Sequence, residues 1–535
     1  MKNNALFIVG LLLLLFCGIK WALGLPAVMD ITFGDEAQYL RYGTDLFHTI
    51  HKDWGPSYNI WYKLLSLFQH NNIRLFYFNY QVTAVLCALL LFIFLRNYGI
   101  HVIIAFWLSF CFMFSTTIMD TWPRVSHFAF ILLVLGFIAI RNCKTYLSKS
   151  VWLTAVFFIT AYARPELFPS FLLMCLLTIF IYFKFRESLR SALPAFVFLI
   201  VIVIVFFGIY QLPADSYKGI NRTYIAFCQH YAINYVLETK ANFNPISEWI
   251  DFAHRTFGDC KNFSCILKSH PGLVLHNTIL NIQKYCLVLL EFFTSILFPV
   301  KITAKKWLMM LIWFFMIGIL VYVFLNKETR NKFIQSLKDN KLVLLVLLIF
   351  GLPSMATSLL IFPRAHYLLM HAPLLIFLVA LLINALPVFT KSKSYLLLLF
   401  FIPFIYKSPK ANKYTYYQMD RDNKQKCNRE LVNYLTEKYN HHQHVIFSNH
   451  LSLSMMLPEN YADFNTEYEF KPGMHFSAIL KDKKIDHVLM RDILLQDKLL
   501  QQDTSWTSFV AHPEDYGFQK QIYCDSCESY LLVKP

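Results

Sequence analysis

The stretch Ala5-Leu-Phe-Ile-Val-Gly-Leu-Leu-Leu-Leu-Leu-Phe-Cys-Gly-Ile-Lys-Trp-Ala-Leu-Gly-Leu25 decides the class of this protein. Lys20 is the one charged residue in it, and its length meets the ~20 apolar residues that a bilayer-spanning helix requires. No small-x-small cleavage site closes the run. We therefore expect an uncleaved first membrane helix rather than a removed signal peptide.

Further apolar blocks of similar length follow. Of the 535 residues, 57% are hydrophobic and 15% are charged, whereas roughly 25% are charged in soluble globular proteins. We predict an α-helical polytopic membrane protein with about 11–13 membrane helices. The expected spans are 5–25, 75–95, 101–119, 126–141, 151–166, 167–185, 191–211, 307–325, 342–362, 367–387 and 394–407, and 283–300 is ambiguous.

The net charge of +16 belongs to the apolar part of the chain. The residues from Pro409 onward include 15 Lys and Arg and 17 Asp and Glu. The first 408 residues therefore contain the other 34 basic and 16 acidic residues. Basic residues in alternate short loops follow the positive-inside rule, which explains the charge without a nucleic-acid partner. The same rule places loops 26–74 and 212–282 outside the cytoplasm.

The basic segment 326–341 belongs in the cytoplasm only if 283–300 does not cross the membrane. We therefore expect 283–300 to be interfacial or re-entrant, as is tolerated where protein covers the backbone. This arrangement places Arg364 and the C-terminal residues outside.

The tail has a different composition, so we predict a transmembrane domain over 1–408 and a small extracytoplasmic α/β domain over 409–535. Residues 427–439 have the spacing of an amphipathic helix. Residues 444–448 and 485–490 are typical of short buried strands, and the segments flanking Cys524-Asp-Ser-Cys527 predict a hairpin.

Two cysteine pairs lie in segments that we place outside, Cys260/Cys265 and Cys524/Cys527. Each could form a short-loop disulfide in an oxidising compartment, or could remain as unpaired thiols. A single Cys-x-x-Cys without further ligands is weak evidence for zinc.

The first outer loop carries the acidic stretch Phe33-Gly-Asp-Glu-Ala-Gln-Tyr39. An amphipathic stretch follows Asp35 and Glu36, and a second one follows Pro56. One interpretation is that Asp35 caps a helix, where the helix dipole favours an acid. The other is that the carboxylates react with substrate.

Asp-Glu-x-x-Tyr followed by Trp54-Gly-Pro-Ser57 and another amphipathic helix resembles the GT-C glycosyltransferase superfamily. The similarity is to bacterial members related to protein O-mannosyltransferases and to the lipid A aminoarabinose transferase. It implies that Asp35, as general base, and Glu36 are catalytic, and that Tyr39 binds substrate. It also implies a polyprenyl-phosphate sugar donor and a glycolipid, lipopolysaccharide or protein acceptor at the outer face of the bacterial inner membrane.

Three arginines lie at predicted outer helix ends: Arg124, Arg164 in Arg-Pro-Glu166, and Arg364 in Pro-Arg-x-x-Tyr367. The Arg-Pro-Glu and Pro-Arg-x-x-Tyr segments also resemble the GT-C pattern. Arginines can stabilise the charge on a departing phosphate. We therefore assign Arg124, Arg164, Glu166, Arg364 and Tyr367 to substrate binding. The alternatives are that the arginines reach toward lipid headgroups and that Glu166 pairs with Arg164 structurally.

Metal binding is left open. A divalent ion near Asp35 is conceivable, but no ligand set stands out in the sequence. His270 with His276 could bind a metal, although a structural role is the simpler interpretation, and His441-His-Gln-His444 is typical of a solvated turn. Neither a dinucleotide-binding motif nor a P-loop occurs, which agrees with a lipid-linked donor.

Two other functions are compatible with a polytopic membrane protein. A flippase of lipid-linked saccharide would be expected to carry internal repeats or broken helices near the bilayer midplane, whereas the polar residues here cluster at one predicted face. An O-antigen-type ligase is also outward facing, but the acidic first loop argues against it.

Overall fold

The structure, a computed structural model, describes residues 2–52, 55–115, 124–213, 216–217, 220–245, 248–298, 306–387, 426–439, 442–450, 452–471 and 473–535. Trp54 and the predicted span 394–407 lie outside these residues. The chain divides into two compact units. The helical unit comprises 1–23, 50–58 and 81–414, and the mixed unit comprises 24–49, 59–80 and 415–535. The predicted boundary at 408/409 falls among undescribed residues and stays a prediction.

Helices dominate the chain up to residue 384. Their bounds are α1 Lys2–Val28, α2 Asp35–Thr44, α3 Pro56–Ser66, α4 Asn72–Asn97, α5 Val102–Phe114, α6 Val125–Ala139, α7 Tyr146–Ala163, α8 Phe168–Phe185, α9 Leu189–Tyr210, α10 Arg222–Thr239, α11 Trp249–Phe257, α12 Phe263–Ser269, α13 Pro271–Leu297, α14 Lys306–Leu325, α15 Lys327–Asp339, α16 Lys341–Leu360, α17 Ala365–Leu368 and α18 Ala372–Asn384. A short antiparallel pair, β1 Ser216–Tyr217 and β2 Ile220–Asn221, precedes α10.

Eight helices among the described residues are long and apolar enough to cross a membrane. They cover Ala5–Val28, Asn72–Asn97, Val125–Asn142, Pro165–Phe185, Leu189–Tyr210, Pro271–Leu297, Lys341–Leu360 and His366–Asn384. A ninth would be α14 with α15, which bend by 98° at Asn326. The structure thus agrees with a polytopic membrane protein, and its described residues contain eight or nine of the predicted 11–13 spans. The helices α5 and α7, which cover two predicted spans, are outside this set.

The ambiguous segment 283–300 belongs mostly to α13. This helix is unbroken from Pro271 to Leu297 and is among the candidate spans. The expectation of a re-entrant turn within it is therefore wrong, because its backbone hydrogen bonds continue to Leu297. The side of the membrane on which Arg364 and the C-terminal residues lie depended on that expectation, so it stays a prediction.

In the helical unit α7 packs against α6, α8 and α9. A β-carbon added to Gly136 of α6 would lie 2.9 Å from Cγ2 of Val156, so glycine permits the close approach of α6 and α7. The hydroxyls of Thr154 and Thr178 are 2.9 Å apart between α7 and α8. These contacts hold α7 against α6 and α8.

The C-terminal part of the mixed unit is a five-stranded sheet in the order β4-β3-β5-β7-β6. Strand β3 pairs in parallel with β4 and β5, and β7 pairs antiparallel with β5 and β6. Helix α19 precedes the sheet, and aromatic residues such as Phe447 and Trp506 fill its core. The bounds are α19 Cys427–Lys438, β3 His444–Ser448, β4 Tyr461–Asn465, α20 Thr466–Glu469, α21 Phe476–Asp482, β5 His487–Met490, α22 Asp492–Leu495, α23 Lys498–Gln501, α24 Thr504–Ala511, β6 Gln519–Gln521 and β7 Tyr530–Val533.

The predicted helix, strands and hairpin of the tail are confirmed, because their hydrophobic periods match the elements that form. The cysteine pairing is only half confirmed. Cys260 bonds Cys265 as expected. Cys527, however, bonds Cys427 at the start of α19, and Cys524 keeps a free thiol. The predicted Cys524–Cys527 bond is therefore wrong, because folding brings a cysteine 100 residues away to the hairpin.

Candidate active site

The acidic stretch of the first loop forms the beginning of α2. Gly34 precedes this helix with φ of 90°, a conformation that glycine adopts without strain. Asp35 is the first helical residue and is exposed, and its carboxylate makes no hydrogen bond or ion pair among the described residues. Gly34 rather than Asp35 is therefore the N-cap, but Asp35 lies in the first turn, where the helix dipole favours an acid. A free carboxylate is also what a general base requires, so this position agrees with both interpretations of Asp35.

Glu36 has a different environment, since it is only 4% exposed. Its carboxylate accepts hydrogen bonds from the hydroxyl of Tyr62 and, at 3.1 Å, from Nδ2 of Asn79. Trp61 donates its indole N–H to Oδ1 of Asn79 at 2.8 Å and so orients that amide. A buried carboxylate costs free energy unless such donors satisfy it. Glu36 is thus held in place by α3 and α4.

The backbone of α2 comes unusually close to α3. A β-carbon added to Gly43 would lie 2.4 Å from Cβ of Tyr62 and 2.8 Å from the carbonyl oxygen of Asn59. Gly43 therefore permits the contact that brings Tyr62 to Glu36. Tyr39, on the same helix, is buried at 8% exposure.

The loop before α2 is anchored by Asp30, a residue that the sequence did not single out. Its carboxylate accepts the backbone N–H groups of Asn428 and Arg429 at 2.8 and 2.9 Å, at the start of α19. Arg429 in turn donates to the carbonyl of Pro26 at 3.0 Å. Burial raises the pKa of Asp30 to about 7, although the backbone hydrogen bonds oppose that rise.

A second anchor joins α2 to the segment after β3. Gln38 donates its amide to the hydroxyl of Ser452 at 2.7 Å, and the rings of Phe33 and His450 meet edge to face at 4.9 Å. Arg41 pairs with Glu459 at 3.2 Å. Within the mixed unit, the first loop and the C-terminal sheet region therefore fold together.

In the helical unit Arg164 occupies the corner between two helices. The helix α7 ends at Ala163, Arg164 has extended backbone angles, and Pro165 begins the next turn. Its guanidinium, 7% exposed as a residue, forms an ion pair with Glu166, donates to the hydroxyl of Ser126 and lies 5.2 Å over the ring of Tyr367. A guanidinium can make all three contacts because it is planar and carries five N–H groups.

The three predicted arginines surround one histidine. Arg124, Arg164 and Arg364 lie close enough to His366 for their charges to act on it, and His230 lies near it as well. Among the described residues Arg364 forms no ion pair. Glu166 pairs with Arg164 and balances one of the three arginine charges, so these residues together keep an excess of positive charge. We call Arg124, Arg164 and Arg364, whose charges act on His366, the cationic cluster.

His230 contributes no charge to this cluster at neutral pH. It is 3% exposed, its Nδ1 bonds the carbonyl of Ala226 at 2.6 Å, and its ring packs on Phe362 at 5.2 Å. Burial, with Arg364 nearby, lowers its pKa to about 4.

The structure thus gathers Arg124, Arg164, Glu166, Arg364 and Tyr367 around one point of the helical unit, and it places Asp35, Glu36 and Tyr39 on one helix of the mixed unit. Sequence reasoning missed further participants. The signals were weak: His366 lies inside the Pro-Arg-x-x-Tyr motif itself, and Asn79 is an isolated polar residue in an apolar helix. The additional residues are Asp30, Tyr62, Asn79, Ser126, His230 and His366.

The histidines considered as metal ligands in the sequence, His270 and His276, belong to neither of the groups of three metal-binding side chains found among the described residues. His276 contacts Glu238 at 3.0 Å on the surface, and His270 packs against the ring of Phe257. Among the described residues, groups of three metal-binding side chains occur at Cys427/Cys524/Cys527 and at His444/Asp486/His487. Neither group includes Asp35 or Glu36.

No protein-family model matches this chain, and no curated protein is found to be similar to it. The resemblance to GT-C glycosyltransferases therefore depends on the motif residues alone.

Proposed function

We propose that this protein is a glycosyltransferase that moves a sugar from a polyprenyl-phosphate donor to an acceptor at the outer face of the bacterial inner membrane. The acceptor would be a glycolipid, lipopolysaccharide or protein. The observation that carries the proposal is the cationic cluster, in which three arginines surround His366 with Glu166 as the balancing acid.

An arginine cluster in a membrane-type helical unit is costly unless an anion uses it. Guanidinium groups suit phosphate because they donate two parallel N–H groups to its oxygens. Arg364, which forms no ion pair among the described residues, is available for such a contact. A lipid-linked phosphate combines an anionic group with an apolar chain, as this environment demands.

The reaction needs little else. The bond between the sugar anomeric carbon and the phosphate oxygen breaks, and a bond from the acceptor oxygen or nitrogen to that carbon forms. The acceptor proton passes to a carboxylate, and the phosphate leaves with the bonding electrons. Asp35 is suited to take the proton because its carboxylate is exposed and free of hydrogen bonds. Glu36, bonded to Tyr62 and Asn79, would position the helix.

The phosphate site can be tested on the full chain in detergent with a fluorescent polyprenyl phosphate. Arg364→Ala should weaken binding by about 10- to 100-fold, which corresponds to the ~1.5–3 kcal/mol of a charged hydrogen bond. The matched control is Arg190→Ala, which removes an exposed arginine at the start of α9. Equal affinity of wild type and Arg364→Ala would remove the cluster from the site.

Transfer itself requires a panel of polyprenyl-phosphate sugars presented in proteoliposomes with candidate acceptors. Formation of a glycosylated acceptor by the wild type would support the proposal. Arginine-dependent lipid binding and translocation without transfer from any donor would favour the flippase instead. A reporter fused after Pro535 should be active outside the cytoplasm, and cytoplasmic activity would overturn the proposed orientation.

A further inference from the structure

Two histidines and an aspartate meet at one edge of the C-terminal sheet, independently of the proposed transferase site. His444 begins β3 and His487 begins β5, and these two strands are parallel neighbours in the sheet. The starting ends of parallel neighbours lie at the same edge. Asp486, just before β5, is therefore brought beside His444 although 42 residues separate them.

The donor atoms of the three side chains are close together. Nδ1 of His444 lies 2.6 Å from one carboxylate oxygen of Asp486, and Nδ1 of His487 lies 3.0 Å from the other. One donor atom from each residue lies within 4.8 Å of the other two. Around a tetrahedral zinc ion with bonds of about 2.0–2.2 Å, donor atoms are about 3.3 Å apart. Small side-chain rotations would reach that spacing.

The surroundings favour a defined site over a mobile surface cluster. His487 is 1% exposed, and its ring packs at 4.8 Å from that of Tyr439. The ring of His444 packs at 5.2 Å from that of Tyr461. Asp486 accepts the backbone N–H of Val445 at 2.8 Å, which orients its carboxylate. The aspartate side chain is 24% exposed, so an ion could enter from that side.

The potential metal-binding atoms of the three side chains converge. Both rings direct the same nitrogen, Nδ1, at one carboxylate. Nε2 of His487 is buried and has no hydrogen-bond partner among the described residues. We propose that His444, Asp486 and His487 bind a divalent transition-metal ion of the Zn²⁺ type, with water in the remaining position.

Two imidazoles with one carboxylate are a donor set that zinc and similar ions accept, and three protein ligands leave one position open. The ion would join β3 to β5 at the beginning of both strands. Its binding should therefore stabilise the C-terminal sheet, since any ligand that binds only the folded state does so.

The test uses the full chain in detergent without reductant, treated with a chelator, dialysed and titrated with Zn²⁺ by calorimetry and with Co²⁺ by visible absorption. The wild type should bind one equivalent that His444→Gln and Asp486→Asn lose. Zn²⁺ should also raise the Tm of the wild type and leave that of His444→Gln unchanged. If His487→Gln fails to fold, His444→Gln, whose side chain is 11% exposed, decides the question.

Two controls separate this site from others. His475 also contacts an aspartate, Asp503 at 3.4 Å, but this pair belongs to neither group of three metal-binding side chains. The control variant His475→Gln should therefore bind metal as the wild type does. Cys524→Ser tests the cysteine group and should likewise retain the equivalent. Undiminished stoichiometry and affinity in His444→Gln, or no tetrahedral Co²⁺ spectrum in the wild type, would overturn the proposal.

Discussion

Asp30 accepts a hydrogen bond from the backbone N–H of Arg429 at 2.9 Å, across 399 residues of sequence. The same carboxylate takes the N–H of Asn428 at 2.8 Å. These N–H groups belong to the first turn of α19, where an acid is favoured by the helix dipole and by donors that lack an intrahelical partner. The loop that carries Asp35 is thereby attached to the C-terminal sheet region.

This attachment should make stability depend on pH. Burial raises the pKa of Asp30 from 3.8 to about 7, so the folded protein retains a proton that the unfolded chain releases. The resulting stabilisation is complete below about pH 4 and is lost as the pH rises through about 7. The Tm of the wild type, measured against that of Asp30→Asn by scanning fluorimetry, should fall over this range.

The exposed Asp251 offers the control for that measurement, because Asp251→Asn removes a carboxylate from the surface of α11. Its pH profile should match that of the wild type. If the Tm of the wild type and the Tm of Asp30→Asn changed equally between about pH 4 and 7, the raised pKa of Asp30 would be contradicted.

Asp35→Asn should abolish transfer while leaving expression and membrane insertion intact, because an amide cannot take the acceptor proton. A positioned base contributes about 10²- to 10⁴-fold in rate, which sets the expected loss in kcat. Glu36→Gln should have a milder effect on kcat. The assay is initial-rate transfer in proteoliposomes, and full activity of Asp35→Asn would exclude the proposed mechanism.

Tyr62→Phe should destabilise the protein without touching the proposed reacting groups. It removes one of two donors to the buried carboxylate of Glu36, and a hydrogen bond to a charged group contributes about 1.5–3 kcal/mol. Thermal or urea unfolding of the wild type, the two single variants and Tyr62→Phe/Glu36→Gln gives the coupling energy. Strictly additive effects would show that the hydrogen bond contributes nothing to stability.

Arg164→Lys should weaken binding of polyprenyl phosphate by about tenfold or more, although it keeps the charge. A lysine ammonium cannot contact Glu166 and Ser126 together while stacking on Tyr367 as the guanidinium does. The fluorescent-lipid assay measures this, and Arg190→Lys at the exposed start of α9 is the control. Unchanged affinity in Arg164→Lys would mean that charge alone matters there.

The Cys427–Cys527 bond should be detected by peptide mapping under non-reducing conditions, with Cys524 alkylated as a free thiol. Cys527→Ser should lower stability by about 2–5 kcal/mol, since the bond closes a loop of about 100 residues. The Cys260–Cys265 bond closes a much shorter loop, so Cys265→Ser should cost less. Recovery of a Cys524–Cys527 peptide instead would refute the observed pairing.

Local patterns in the sequence were sufficient for the class of protein and for most elements. A membrane helix needs a continuous apolar run, so runs such as 5–25 and 191–211 predict helices that the structure contains. The period of the tail residues likewise predicted α19, β3 and the terminal hairpin. The re-entrant alternative for 283–300 was wrong, whereas the interfacial alternative stays a prediction, because charge-based topology supplies no information about helix continuity.

The sequence by itself determined where the apolar helices and several elements of the tail form, because those depend on neighbouring residues. Only the tertiary structure decided which distant side chains meet: Asp30 with α19, Glu36 with Tyr62 and Asn79, Cys427 with Cys527, and His444 with Asp486. It also separated the paired acids, leaving Asp35 exposed and Glu36 buried. These contacts join residues that are far apart in the chain. Which residues meet depends on how the helices and strands pack, and local sequence patterns do not contain that information.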